Sequence, residues 1–311
     1  MKKFAIVIPL YKTADKLDRL EQLNFDRFCK FLNRDSKTYD IICLTYSDEI
    51  YDSYNDKYKL FNRCYKIQQQ SLDNVAEYSL FMCTETLWEG LYRNGYDYMY
   101  LMQTDVVILK DEFEKWIDYC RENKIDYIGG PIVSWHDAWG ITPSTVEEAK
   151  HLPAITKCKV GNGGFCLRNV KTMYEVTSSN KEFFKTYIET GQDEPKYNML
   201  IKKIMSYKHS YMEDMYFCLF VAHRYPLKLA SVEDALKFSW DYNPDRCYEL
   251  NNHELPMALH APHNSMRFFK QSHIVDVWDK EDWIDEEQIK KWEQNFRNKL
   301  NNEYKIMLIQ Q

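Results

Sequence analysis

The 311-residue sequence is short of glycine: it has nine, about half the usual share. No G-x-G-x-x-G follows any apolar run, which argues against a Rossmann dehydrogenase. The segment after the first apolar run, Pro9-Leu10-Tyr11-Lys12-Thr13, contains no glycine either. A nucleotidyltransferase would usually carry a glycine-rich, basic phosphate loop there. Positive charge is not in excess, since the formal net charge is -6 and no arginine-rich stripe occurs. That speaks against a general nucleic-acid binder. No stretch approaches the roughly 20 apolar residues of a membrane span. The nine cysteines form no C-x-x-C pair and no zinc-type spacing. They read as free thiols in a reducing cytoplasm.

What the chain does have is aromatic residues, with 24 Tyr, 16 Phe and 8 Trp. Most belong to a large core; exposed Tyr and Trp suit sugar-binding and interface surfaces. Phe4 to Pro9 (FAIVIP), Asp40 to Tyr46 (DIICLTY) and Tyr98 to Gln103 (YMYLMQ) are continuous apolar runs of buried-strand type. Helical spacing occupies Asp15 to Leu32, Asn74 to Tyr92 and Asp111 to Arg121. Tyr127 to Val133 is a short strand and turn, Phe165 to Arg168 a strand, and helices are expected from Val170 and over Met212 to Ala222. The β-α-β-α-β order predicts an α/β fold, a mostly parallel sheet with flanking helices. One domain is expected over 1–275. Residues 276–311 form a helical appendage with Ile289, Trp292, Phe296 and Leu300 on one face. Such a helix docks on the body or, as the minority reading, lies on a partner or an anionic membrane surface.

Four segments carry candidate chemistry. Gln103-Thr104-Asp105 ends the third strand, where ligands of open parallel sheets bind. Gly161-Asn162-Gly163-Gly164 concentrates three of the nine glycines. It lets a ligand or another chain approach the backbone, or makes a hairpin turn, with positive φ expected at Gly163 or Gly164. Glu213-Asp214 opens a helix, where adjacent acids suit the dipole. Only one of the two can face a cleft as a general base. His260 and His263 flank Pro262 and could supply a metal ligand or a phosphate contact.

Leu101-Met102-Gln103-Thr104-Asp105, Asp126-Tyr127-Ile128-Gly129-Gly130-Pro131, Val160-Gly161-Asn162-Gly163-Gly164-Phe165-Cys166-Leu167-Arg168-Asn169 and Glu213-Asp214-Met215-Tyr216-Phe217 occur in that order. Over about residues 70–265 the series resembles a bacterial family of GT-A-like glycosyltransferases, long labelled a domain of unknown function. The resemblance implies a GT-A-like nucleotide-diphospho-sugar transferase fold. It also implies a nucleotide-sugar donor (UDP-sugar first), a glycan or lipid-linked acceptor and a cytoplasmic role in surface polysaccharide synthesis, with peripheral contact at the inner membrane face. In GT-A enzymes an Asp-x-Asp motif holds a divalent metal, Mn or Mg, against the donor diphosphate. Asp105 matches its first position, while Val107 stands where the second acid would be. The resemblance makes Asp214 the base with Glu213 beside it, and His260 or His263 a partner of Asp105 at the metal. It places Pro9 and Tyr11 with Gln103 and Asp105 at the donor, and Asn162, Gly163 and Gly164 at the acceptor or sugar. A non-catalytic sugar-binding protein on the same scaffold is the alternative kept open, with a nucleotidyltransferase beside it.

Overall fold

A computed structural model describes residues 3–72, 74–131, 160–179, 213–222, 225–241 and 244–261. Its centre is a six-stranded sheet. The strands are β1 (Phe4–Pro9), β2 (Tyr39–Thr45), β3 (Arg63–Lys66), β4 (Tyr98–Met102), β6 (Tyr127–Gly129) and β7 (Phe165–Asn169). They lie in the order β3-β2-β1-β4-β7-β6. β1 pairs in parallel with both β2 and β4, and β2 with β3. β7 runs antiparallel to β4 and to β6. The fold is thus α/β with a mostly parallel sheet and helices on both faces. A small second sheet joins β5 (Val106–Ile108), β9 (Ala258–His260) and β8 (Ser239–Trp240) in that order.

The apolar strand runs are continuous because both faces of the sheet are covered. Ala5, Val7, Ile42, Leu44, Met99 and Leu101 face one core. There they meet α3 (Val75–Met82), α4 (Glu85–Arg93) and α6 (Val170–Ser179) through Met82, Trp88, Leu91 and Met173. Ile6, Ile8, Ile41, Cys43, Tyr98 and Tyr100 face the other. They meet α1 (Arg19–Phe31), α2 (Asp48–Tyr58) and α5 (Phe113–Asn123) through Phe25, Phe28, Tyr54 and Trp116.

Three helical segments differ from expectation. The Asp15–Leu32 segment opens as a 3-10 turn over Ala14–Lys16, and α1 starts only at Arg19. Asp18 and Glu21 form a complete capping box there, which fixes the start. The Asn74–Tyr92 segment is two helices, because the chain turns at Cys83 and becomes extended at Thr84. The Trp88 indole N–H donates to the Met82 carbonyl at 2.8 Å and the Thr84 hydroxyl to that of Phe81 at 2.7 Å. These bonds satisfy carbonyls that the break would orphan. The segment from Glu213 is one short turn, α7 (Glu213–Met215), running into a π-helical turn over Tyr216–Val221. Further on come α8 (Val232–Phe238) and α9 (Pro244–Leu250). The appendage expected over 276–311, His263, and Ile132 and Val133 lie outside the described residues.

Candidate functional site

The sheet has a switch point. From β1 the chain moves outward to β2 and β3, then returns to place β4 on the other side of β1. Crossovers on opposite sides leave a crevice outside the carboxyl ends of β1 and β4. Pro9 and Tyr11 leave β1 there, and Gln103, Thr104 and Asp105 leave β4. Pro9 lies within the buried end of β1, and Tyr11 is 48% exposed. The floor is a polar knot. Buried Glu21 accepts from Lys12 at 2.5 Å, from the Thr104 hydroxyl at 3.0 Å and from the Asp18 N–H at 3.0 Å. The Asn24 amide donates to the Thr104 carbonyl at 3.0 Å. Burial pushes the Lys12 ammonium down, but Glu21 outweighs it and holds the group above its ordinary value. Burial raises the Tyr11 phenol; Lys12 opposes the rise, and the Glu21, Asp105 and Asp18 charges add to it.

Register brings the rest of the site to this edge. Phe165 pairs with Met102 in the antiparallel β4–β7 ladder, so the residues before β7 arrive beside those after β4. The Gln103 N–H donates to the Gly164 carbonyl at 3.0 Å. Val106 pairs with His260 in the β5–β9 ladder, which sets His260 next to Asp105. The His260 Nε2 lies 3.4 Å from Asp105 Oδ1 and 3.1 Å from Gln103 Oε1. Its Nδ1 lies 3.1 Å from Asp241 Oδ1. Burial alone would push the imidazole down; the Asp105 and Asp241 carboxylates outweigh that and hold it well above the ordinary histidine value.

The glycine segment serves close packing. A Cβ on Gly164 would fall 2.1 Å from His260 Nε2, and one on Gly163 would fall 2.2 Å from a Glu213 carboxylate oxygen. Positive φ, expected at Gly163 or Gly164, occurs instead at Gly161, at +155°. The two later glycines are needed for the missing side chain rather than for the backbone angle. Asn162 ties the segment down. Its side-chain carbonyl accepts from the Gly164 N–H at 3.0 Å, and its amide donates to Asp241.

Beneath Gly163 lies a buried ion pair. Arg168, fully buried, donates to Glu213 at 2.6 Å, to the Tyr127 hydroxyl at 3.3 Å and to Cys166 Sγ at 3.1 Å. Its guanidinium is ringed by Trp88, Tyr127 and Phe217 at 4.8–5.8 Å. Burial opposes the charge, yet Cys166, Glu213 and the neighbouring phenols hold the guanidinium well above its usual value. Glu213 is therefore committed to Arg168, and Asp214 beside it is also buried.

Sequence reasoning brought Gln103, Asp105, His260 and Asn162 to Gly164 into view, and the fold unites them. It missed Asp241, which follows a two-residue strand with no motif around it. It missed the roles of Lys12 and Glu21, and the pairing of Arg168. An arginine inside an otherwise apolar strand was a readable signal that a buried anion had to exist.

A divalent ion fits one part of this arrangement. Two ligand atoms bonded to one ion at about 2.0–2.2 Å stand roughly 3.0–3.4 Å apart, as His260 Nε2 and Asp105 Oδ1 do. Among the described residues no group of three or more His, Cys, Asp and Glu forms a ready metal cage. Any ion would complete its shell from a diphosphate and water, as magnesium commonly does.

Among the described residues no helix is long and apolar enough to cross a membrane. No curated protein matches the chain significantly. Solved structures with similarity include mouse xyloside xylosyltransferase 1 in its apo form, at TM-score 0.47 and 8% identity, covering 83% of this chain and 97% of that one. A glycosyltransferase involved in the glycosylation of the major capsid of PBCV-1 matches at TM-score 0.43 and 10% identity, with 83% and 92% covered. The apo glycosyltransferase GlyE of Streptococcus pneumoniae TIGR4 matches at TM-score 0.36 and 14% identity, with 84% of this chain but only 55% of that one covered. The family model for a protein of unknown function, DUF5672, matches residues 62–260, which hold Gln103, Asp105, the glycine segment, Glu213, Asp214 and His260, and this chain belongs to that family.

Proposed function

We propose that this chain is a GT-A-like glycosyltransferase that moves a sugar from a nucleotide-sugar donor to a hydroxyl of a glycan or lipid-linked acceptor in surface polysaccharide synthesis. A uridine diphosphate sugar is the first donor to test. The observation that carries the reading is the meeting of Asp105, Gln103 and His260 at the switch-point crevice, with a glycine-walled edge beside them. The order of the motifs along the sequence supports it.

In this reading Tyr11 stacks on the donor base at the mouth of the crevice. Asp105 and His260 Nε2 would hold a divalent ion, Mn or Mg. When bound, the ion supplies Lewis-acid neutralisation of the charge that develops on the leaving diphosphate. Lys12 lies on the same crevice, its charge balanced by Glu21. Gly163 and Gly164, whose missing side chains make room for Glu213 and His260, meet the sugar or acceptor through their backbone. Asp214 takes the acceptor proton, the role that the resemblance of the Glu-Asp motif gives to its second acid, while Glu213 pairs with Arg168. A base contributes about 10²–10⁴-fold to rate.

A second reading of His260 has its own support in the geometry: a carboxylate faces each ring nitrogen, Asp105 at Nε2 and Asp241 at Nδ1, an arrangement that suits a charged ring. A charged imidazolium would neutralise the diphosphate without a metal. Activity with and without excess chelator separates the two, since full activity in chelator removes the ion from the mechanism.

The test of the function is calorimetric titration with nucleoside diphosphates and nucleotide sugars, followed by transfer assays on wild type and Asp214→Asn. We expect saturable diphosphate binding in both proteins and a transfer rate lower by about 10²–10⁴-fold in the variant. No nucleoside diphosphate binding at millimolar concentration would sink the reading. Transfer at the wild-type rate in Asp214→Asn, with Glu213→Gln dead but folded by circular dichroism, would move the base one residue back.

A further inference from the structure

Asp241 accepts on both of its carboxylate oxygens. Oδ1 faces His260 Nδ1 at 3.1 Å, and Oδ2 receives the Asn162 amide. The other end of Asn162 holds the Gly164 N–H, and Gly164 packs so closely on His260 that a Cβ there would overlap the ring. A closed circuit results: His260, Asp241, Asn162, Gly164 and back to His260. The Nδ1 edge is on the far side of the ring from Nε2, so Asp241 cannot share an ion with Nε2. It can only hold the ring.

We propose that Asp241 is a positioning residue: through this circuit it fixes the His260 ring so that Nε2 is presented to Asp105 and Gln103, and locks the glycine edge to the same orientation. The proposal deepens the donor-site function argued above and rests on it for its consequence, though not for its geometry.

The chemistry requires a carboxylate. Two donors, His260 Nδ1–H and the Asn162 amide, converge on Asp241. An asparagine at 241 has one acceptor oxygen for two donors, so one arm must break or a donor must face a donor. Carboxylate–histidine pairs of this kind orient metal-ligating imidazoles, and losing the outer partner typically costs about 10–100-fold in metal affinity. Asp241 is partly exposed, with 21% side-chain exposure. Asparagine has nearly the same size and shape, so Asp241→Asn leaves the packing in place.

The experiment uses the full chain, labelled with 15N-histidine, and manganese chloride as the probe. Proton NMR should show a downfield imidazole N–H resonance in the wild type that is absent in His260→Gln, the signature of Nδ1–H bonded to a carboxylate. Asp241→Asn should move it strongly upfield or erase it, while circular dichroism stays that of the wild type. Manganese affinity, read by electron paramagnetic resonance, should fall about 10–100-fold in Asp241→Asn. In a His260→Ala background the Asp241→Asn change should cost nothing more, because Asp241 acts through the ring. If the wild type lacks a His260-dependent downfield proton, or the resonance survives unchanged in Asp241→Asn, the proposal falls, whatever the folding of the variant. An additive loss of manganese affinity in the double variant overturns it too. If the wild type binds neither manganese nor a nucleoside diphosphate, the donor-site reading fails by itself, and the resonance still decides whether Asp241 holds the ring.

Discussion

At the residue scale, the site is defined by atoms that are absent. Gly164 leaves room for the His260 ring, and Gly163 leaves room for Glu213. Gly164→Ala should push the imidazole off its line to Asp105. We expect a loss of at least 10-fold in manganese or nucleoside diphosphate affinity by calorimetry, with overpacking lowering stability by about 1–3 kcal/mol. A variant with wild-type affinity would show that the ring does not need its present place. Gly161 differs: its φ of +155° is what a side chain resists, and a Cβ there would crowd Cys218 at 3.0 Å, with the Asp214 carbonyl in ordinary contact at 3.9 Å. The sequence showed that glycines mattered here. It could not show which needed the angle and which needed the space, because that depends on what packs against them.

At the element scale, the strand β7 and the turn α7 are joined by Arg168 and Glu213. The pair sits in an aromatic box with side-chain exposures of 0% and 5%, so each charge depends on the other. Removing one partner of such a pair costs about 3–5 kcal/mol, since it strands the other. Arg168→Met should lower stability by that order in urea denaturation. Arg168→Met with Glu213→Gln should cost less than the two single changes together, because no charge is then left alone. Additive losses would mean that the pair is not coupled. The main strands were legible because runs such as Phe4 to Pro9 and Tyr98 to Gln103 are apolar on both faces. β3 escaped notice because Arg63-Cys64-Tyr65-Lys66 is an edge strand of mixed polarity. The direction of β7 was also not legible: an apolar strand reads the same whether it pairs parallel or antiparallel. Yet that direction is what carries the glycine segment to Asp105. Asp241 and Glu21 join the site through loops and a capping box, which leave no periodic trace.

At the scale of the whole molecule, charge at the opposite end of the sheet offers a pH test. Burial would raise the Asp40 carboxyl, but Tyr96, Lys3 and Arg63 outweigh it and hold the group below its ordinary 3.8. A depressed folded value contributes stability that is present above the unfolded value and is lost as pH falls through the folded one. Acid should therefore narrow the stability gap between wild type and Asp40→Asn, mainly below about pH 4. Denaturation midpoints across pH 3–7 check this, and a gap that stays constant over that range would rule it out.

The extent of the family match raises a last question about the whole fold. The match begins at residue 62, after β1, α1, β2 and α2. Yet β1 is no appendage. It lies between β2 and β4, pairs along all six residues with β2 and along three with β4, and is buried throughout. Without residues 1–61 the edge strand β3 has no neighbour, and β4 exposes the pairing edge that β1 covers. Phe4, Ile6, Val7 and Ile8 alone bury four large side chains to 2% exposure or less. At about 1.5–3 kcal/mol each, that loss is comparable with the roughly 5–15 kcal/mol by which a domain is stable at all. Half of the crevice would go as well, since Pro9, Tyr11, Lys12 and Glu21 precede residue 62. We therefore expect a fragment of residues 62–311 to be unfolded or aggregated, with no cooperative urea transition by circular dichroism and no nucleoside diphosphate binding. A fragment that unfolds cooperatively and binds diphosphate would show that the family-matched region is a domain in its own right, and would move the donor site away from the β1–β4 crevice.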